Sequence, residues 1–243
     1  LKRDASVAER LASDGRGLQS FKDHVVLERQ EVMNQSGEPF RVFTPYSRAW
    51  RANLTDQDIA ERPVRHDRFW SADELGNRDP MPALAEFGFL ESDLWLEPGE
   101  RAGAERLREF AAKMADYGRR RDIPGIEGTS GLSVHLRFGT VSIRDCLRVA
   151  AAHPSPGSEK WVTELIWREC EHMILANFPH VVGAAFKPEY DAIEWPGTEE
   201  MFDRWRQGST GYPLVDAAMR CLDATGWMHN RLRMVTASFL VKD

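Results

Sequence analysis

Residues Ser158 to Asn177 read as one long helix that Pro179 ends, since a proline biases the residue before it out of helical geometry. That helix points to a helical domain, and its surroundings agree. Ala102 to Tyr117 carries Leu107, Phe110, Ala111 and Met114 at helical spacing. Ser142, with Asp145 three residues on, is placed to cap a helix reaching Ala152. Pro213 suits the first turn of a helix running to Ala224, with Gly226 as its stop. Asn230 to Val241 continues helical.

The chain before Gly99 has a different character. Its first thirty or so residues read as a helix, then a short strand at Val25-Val26-Leu27. Val32 to Phe43 reads as a second extended stretch with a turn at Ser36-Gly37-Glu38-Pro39. This is alternating α/β material, and too little of it to close a sheet. From Thr55 to Pro98, Pro63, Pro80, Pro82 and Pro98 interrupt any periodicity, as in a surface connector between domains. The predicted fold class is therefore mostly α, preceded by the tail of an α/β unit. The predicted divisions are 1–50, 51–98 and 99–243.

Composition sets the outer limits. With 243 residues and 42% of them hydrophobic, the chain can bury a core and is not a disordered polymer. No run of about 18 apolar residues offers a membrane span. The start has neither Met nor an apolar signal region, and the end stops inside an apolar run; the chain reads as an internal portion of a longer one. Cys146, Cys170 and Cys221 have no pair at metal-ligand spacing. That favours reduced thiols in a cytoplasmic protein, each a small buried residue, with no metal site. The net charge of −6 argues against uniform nucleic-acid binding. Arginines nevertheless gather at Arg119-Arg120-Arg121, at Arg137, Arg144 and Arg148, and at Arg220, Arg231 and Arg233.

Four stretches could carry chemistry. In Gly128-Thr129-Ser130-Gly131-Leu132-Ser133, small residues and hydroxyls precede helical sequence. This fits a phosphate-cradling loop or a plain capping turn. In the long helix, Trp161, Glu164 and Arg168 share a face that Trp167 borders. Two tryptophans around a carboxylate suit a planar heterocycle or an extruded base; equally, the tryptophans are core and Glu164 pairs with Arg168 at i,i+4. In Trp227-Met228-His229-Asn230-Arg231-Leu232-Arg233-Met234, the Asn230 amide can donate and accept, and Arg231 suits phosphate. Trp195, before Pro196-Gly197, sits in a turn.

Taken in order, these stretches resemble the photolyase/cryptochrome family, on the side of its class I cyclobutane-pyrimidine-dimer enzymes. The resemblance runs through Val42-Phe43-Thr44-Pro45-Tyr46 with Trp50, Tyr117, Arg121-Asp122-Ile123-Pro124, the Thr129–Ser133 loop and Glu164-Leu165-Ile166-Trp167-Arg168-Glu169. It continues through Phe186 to Asp191, Thr210-Gly211-Tyr212-Pro213 and Trp227 to Met234. It implies a helical FAD domain over 99–243, a connector, and over 1–50 the end of a Rossmann-like antenna domain, whose chromophore in the family is a folate or a deazaflavin.

The resemblance also implies roles. Tyr117, Thr129, Ser130, Gly131, Leu132 and Ser133 would hold the flavin's phosphates and ribityl chain, and Trp161, Glu164, Arg168 and Asn230 would line its cavity. UV-damaged DNA would be met by Glu164, Trp167, Arg168, Glu171, Asn230, Arg231 and Met234, with Glu164 and Asn230 bonding the flipped dimer. Trp195 would be the outermost member of an electron-transfer chain. The implied activity is light-driven repair by a monomer; a cryptochrome-type photoreceptor and a flavin-free remnant are the competing readings. Gly131 and Val134 depart from the pattern, standing where relatives often carry a basic residue and a proline.

Overall fold

Ser155 and Ser158 cap one another at the start of the central helix. The Ser155 hydroxyl accepts from the Ser158 amide at 3.1 Å, and the Ser158 hydroxyl accepts from the Ser155 amide at 2.8 Å. Pro156 fills the first helical position, where a missing amide costs nothing. The computed structural model describes residues 2–65, 67, 69, 71, 82–90 and 93–242. Leu1 and Asp243, and Pro80 of the expected connector, lie outside the described residues.

The helices in chain order are α1 (Lys2–Ser13), α2 (Phe43–Asn53), α3 (Asp56–Ile59), α4 (Glu100–Lys113), α5 (Tyr117–Arg120), α6 (Ser133–Phe138), α7 (Ile143–Ala152), α8 (Pro156–Asn177), α9 (Glu199–Arg206), α10 (Pro213–Thr225) and α11 (Asn230–Lys242). Helix α8 is packed by α2, α5, α7 and the short 3-10 turn Met114–Asp116. It buries Trp161, Leu165, Ile166, Glu169, Cys170 and Met173. Against these lie Tyr46 and Trp50 of α2, Leu107 and Phe110 of α4, and Ile143, Cys146 and Leu147 of α7. Gly157 permits the close approach of α8 to the 3-10 turn: a Cβ there would sit 2.1 Å from the Met114 carbonyl oxygen. A smaller core joins Val215, Ala218 and Met219 of α10 to Met228, with Trp205, Leu232 and Phe239 packed on it.

Several expectations hold in detail. Pro213 opens α10, and Gly226 closes it in the left-handed region at φ 68°. Helix α8 ends at Asn177, two residues before Pro179. Cys146 and Cys170 are buried, which pushes their thiols up to about 12 and about 11, whereas Cys221 is only half-buried.

The N-terminal region differs. Helix α1 stops at Ser13, and no strand forms at Val25–Leu27. The apolar run is buried because its backbone meets a side chain in place of a sheet. The Val26 and Leu27 amides donate to the Glu169 carboxylate at 2.6 and 3.2 Å, and Trp50 Nε1 donates to it at 2.6 Å. That carboxylate satisfies amides a ladder would otherwise have paired. Val32 to Phe43 keeps only one bridge, Met33 to Pro39, around an Asn34 turn whose Oδ1 accepts from Ser36 and Glu38. The expected division at residue 50 falls inside α2. Ser142 caps Arg144 as expected, while Asp145 turns to Arg148. Among the described residues, no helix is long and apolar enough to cross a membrane.

Candidate functional site

The glycine-rich loop lies between α5 and α6. Gly128 passes so close to the end of α5 that a Cβ would meet the Arg120 carbonyl oxygen at 2.3 Å. Gly131 holds φ 64°, a conformation that suits glycine. A Cβ on it would meet the Arg106 guanidinium at 2.4 Å, and Arg106 Nε donates to the Ser130 carbonyl at 3.0 Å. A cation from α4 thus lies over the glycine where the sequence departs from the family pattern. Leu132 is buried and pins the loop to the core, while the hydroxyl-bearing Thr129 and Ser130 are half-buried and Ser133 is exposed.

Tyr117 at the start of α5 is buried edge-on against Phe110, 5.6 Å between centroids. Burial pushes its phenol up to about 12, so it is a neutral hydrogen-bonding group. The Arg121 guanidinium lies 5.4 Å from the Tyr117 ring centroid and forms an ion pair with Glu164 of α8. Arg121 also contacts Asp122, and Asp122 accepts from Arg231 Nε of α11 at 2.8 Å. Arg231 in turn reaches the Met234 sulfur at 3.8 Å. Three segments far apart in sequence are drawn together by this chain of alternating charges. The hydrogen bond from Arg231 holds the Asp122 carboxyl below the usual carboxylate range.

The two tryptophans of α8 separate. Trp161 is buried against Phe110, 4.9 Å between centroids, and is part of the core. Trp167 is 41% exposed, with Phe43 stacked on one face. The alternative i,i+4 pairing of Glu164 with Arg168 is not seen among the described residues, where each is engaged elsewhere in the chain. Arg168 donates to the His24 and Leu136 carbonyls. It therefore holds the N-terminal segment, away from the Glu164 cluster. Glu171 is exposed and makes no contact with that cluster among the described residues. Asn230 is exposed at the start of α11, beside a buried His229 whose Nδ1 accepts from the Arg231 amide at 3.1 Å. His229 Nε2 is buried without a partner among the described residues. Trp195 is 59% exposed in the segment before α9.

From sequence, no site role fell to Arg106, Arg121, Asp122 or Phe43. Arg121-Asp122 and Phe43 were visible within motifs of the resemblance, while Arg106 gave no local signal. Among the described residues, no three His, Cys, Asp or Glu side chains converge as a metal site would require.

The site is a hydroxyl-lined loop, a charge chain and an exposed indole arranged around the long helix of an all-helical domain. Proteins built this way are known. A family model described as the FAD binding domain of DNA photolyase matches residues 161–243, and one described as DNA photolyase matches residues 1–64. A deoxyribodipyrimidine photo-lyase of Synechococcus sp. is 36% identical over 256 residues, covering 99% of this chain and 52% of that protein. One from Salmonella typhimurium is 40% identical over 252 residues, covering 100% and 52%. The crystal structure of a class III photolyase from Agrobacterium tumefaciens superposes with a TM-score of 0.83 at 29% identity, covering 100% of this chain and 52% of that one. The chain belongs to the photolyase/cryptochrome family, and it spans about half the length of the curated relatives it matches.

Proposed function

We propose that this chain contributes the core of a FAD-dependent enzyme that repairs cyclobutane pyrimidine dimers in UV-damaged DNA under blue light. The observation that carries the reading is the Glu164–Arg121–Asp122–Arg231 chain beside the exposed Trp167. The chain supplies a carboxylate and a phosphate-seeking cation, and Trp167, one turn along α8 from Glu164, supplies an aromatic face, the three chemistries an extruded pyrimidine pair needs. Bound there, FAD would supply light-driven electron-transfer chemistry for opening the cyclobutane ring.

The residues present fit FAD. Gly128 and Gly131 let the loop lie directly against the Arg120 backbone and the Arg106 guanidinium, which sets a cation on it, and Thr129, Ser130 and Ser133 offer hydroxyls there. These residues, with Leu132 through its backbone and Tyr117, would hold the phosphates and ribityl chain. Trp161 would act from the core by backing the cavity wall. Glu164 and Asn230 would hydrogen-bond the flipped bases, Trp167 would stack on them through the face Phe43 leaves open, and Arg231 with Met234 would meet the strand. Trp195, exposed, suits the outer end of an electron-transfer chain. The contacts of Arg168 support a positioning role in place of direct flavin or DNA contact, and the surroundings of Glu171 offer it no role beyond the surface.

We also propose that 99–243 is flavin-domain sequence, that 51–98 connects, and that 1–50 closes an antenna domain carrying folate or deazaflavin. The first boundary would move past α2, because Tyr46 and Trp50 belong to the core around α8. The protein would act as a cytoplasmic monomer.

The test is blue-light repair of a thymine-dimer oligonucleotide by the full-length protein with reduced FAD, against a dark control. Repair that needs light, and that Glu164→Ala cuts at least tenfold while FAD stays bound, supports the reading. Flavin binding without repair would favour the photoreceptor, and no flavin binding would end both.

A further inference from the structure

We propose that Arg106 of α4 is a phosphate-binding residue, supplying the glycine-rich loop with a cation for the pyrophosphate of a dinucleotide. The inference deepens the flavin reading above and rests on it. Arg106 is half-buried, and its Nε is anchored on the Ser130 carbonyl at 3.0 Å. That bond fixes the guanidinium against Gly131, close enough that any side chain there would collide with it.

Among the described residues, only Nε has a hydrogen-bond partner. Among the described residues, neither Nη1 nor Nη2 of Arg106 has a hydrogen-bond acceptor or a carboxylate. The neighbouring acid on the same helix, Glu105, pairs with Arg108 at 4.0 Å. A guanidinium held by one nitrogen, with two others free, is set to bind a further anion. Its planar fork matches a phosphate better than it matches a single halide or water.

The surroundings favour the same ligand. Thr129, Ser130 and Ser133 bring hydroxyls to the loop beside this cation. His135 lies near as well, but burial and the Arg106 charge lower its pKa, and its Nδ1 is engaged with the Thr140 hydroxyl at 2.8 Å. His135 is therefore less suited to the anion than Arg106, whose guanidinium lies directly against Gly131. The left-handed Gly131 serves two ends: it turns the chain, and by having no side chain it leaves room for a cation from another helix.

The experiment titrates FAD into the full-length protein, its Arg106→Met variant and its Arg106→Lys variant, by flavin fluorescence at low and at high salt. Melting of the flavin-free proteins is followed in parallel. Arg106→Met is expected to weaken FAD by about tenfold or more at low salt, as loss of a charge-assisted hydrogen bond should. The loss should shrink at high salt, where charge is screened, and Arg106→Lys should fall between. Unchanged affinity in Arg106→Met would overturn the proposal. So would a loss equal at both salt concentrations with a matching fall in melting temperature, which marks a packing role only. A wild-type protein that binds no FAD would instead defeat the flavin reading, and this inference with it.

Discussion

The Phe43 ring lies flat on the Trp167 indole, 3.6 Å between centroids with 4° between the planes. An aromatic from the start of α2 thus backs an exposed tryptophan on α8. Such a pair contributes about 0.5–1.5 kcal/mol beyond its area, and it also fixes the indole in one orientation. Phe43→Ala is expected to lower affinity for dimer-containing DNA by about two- to tenfold. Affinity for undamaged DNA and for FAD should stay the same. Fluorescence anisotropy with both oligonucleotides checks this, and equal losses on both would contradict it.

Arg231 and Asp122 restrain each other, so opposite changes should act in opposite directions. Arg231→Ala should weaken binding to damaged and undamaged DNA alike and reduce the salt slope of binding by about one. Asp122→Asn, which frees Arg231, should tighten non-specific binding. The Asp122 carboxyl sits below the usual range because Arg231 hydrogen-bonds to it. A lowered folded value means the pairing is present above the unfolded value and lost only as pH falls through the lower one. The salt slope of the wild-type protein should therefore hold steady from about pH 5 to pH 8.

Gly157 should reverse a familiar rule. Alanine is favoured over glycine inside helices by about 1 kcal/mol. Here the added methyl would lie 2.1 Å from the Met114 carbonyl oxygen and 2.5 Å from that of Ala115, both backbone atoms. Gly157→Ala is expected to destabilise the protein by about 1–3 kcal/mol, the range for overpacking. Chemical denaturation would measure it, and a rise in stability would show that α8 can draw back.

Glu169 gives a pH-dependent prediction. Burial raises its carboxyl above the usual range, against the three hydrogen bonds that lower it. A raised folded value contributes stability that is complete below the unfolded value and is lost as pH rises through the folded one. Glu169→Gln removes the titration and turns an amide toward donors. The margin of wild type over Glu169→Gln should therefore widen as pH is lowered from 8 towards 5, in thermal melts. Glu169→Ala leaves the Val26 and Leu27 amides and Trp50 Nε1 without their acceptor and should cost about 3 kcal/mol or more.

The helices were legible in the sequence wherever their ends carry a local signal. Pro213, Gly226 and Pro179 act on their own neighbours, so the expectation and the structure agree there. Val25–Leu27 was read as a strand because apolar β-branched residues look alike whether a sheet or a single carboxylate takes up their amides. Glu164 and Arg168 stand at a spacing that favours pairing, yet long-range partners outcompeted a surface pair worth only tenths of a kcal/mol. Family resemblance pointed to Tyr117, Glu164 and Arg231, which the structure brings together. Phe43 and Arg106 became members of the region only through tertiary packing, which no local window contains.

The Glu169 carboxylate reaches the Val26 amide across 143 positions of chain. During synthesis the stretch between α1 and α2 therefore emerges long before its acceptor exists. Its apolar residues must wait, with no ladder of their own to form, until α8 has left the ribosome. Closing so long a loop is entropically slow. Docking of the N-terminal segment is thus expected as a late event in folding, and the interval before it as the period when the nascent chain most needs a chaperone.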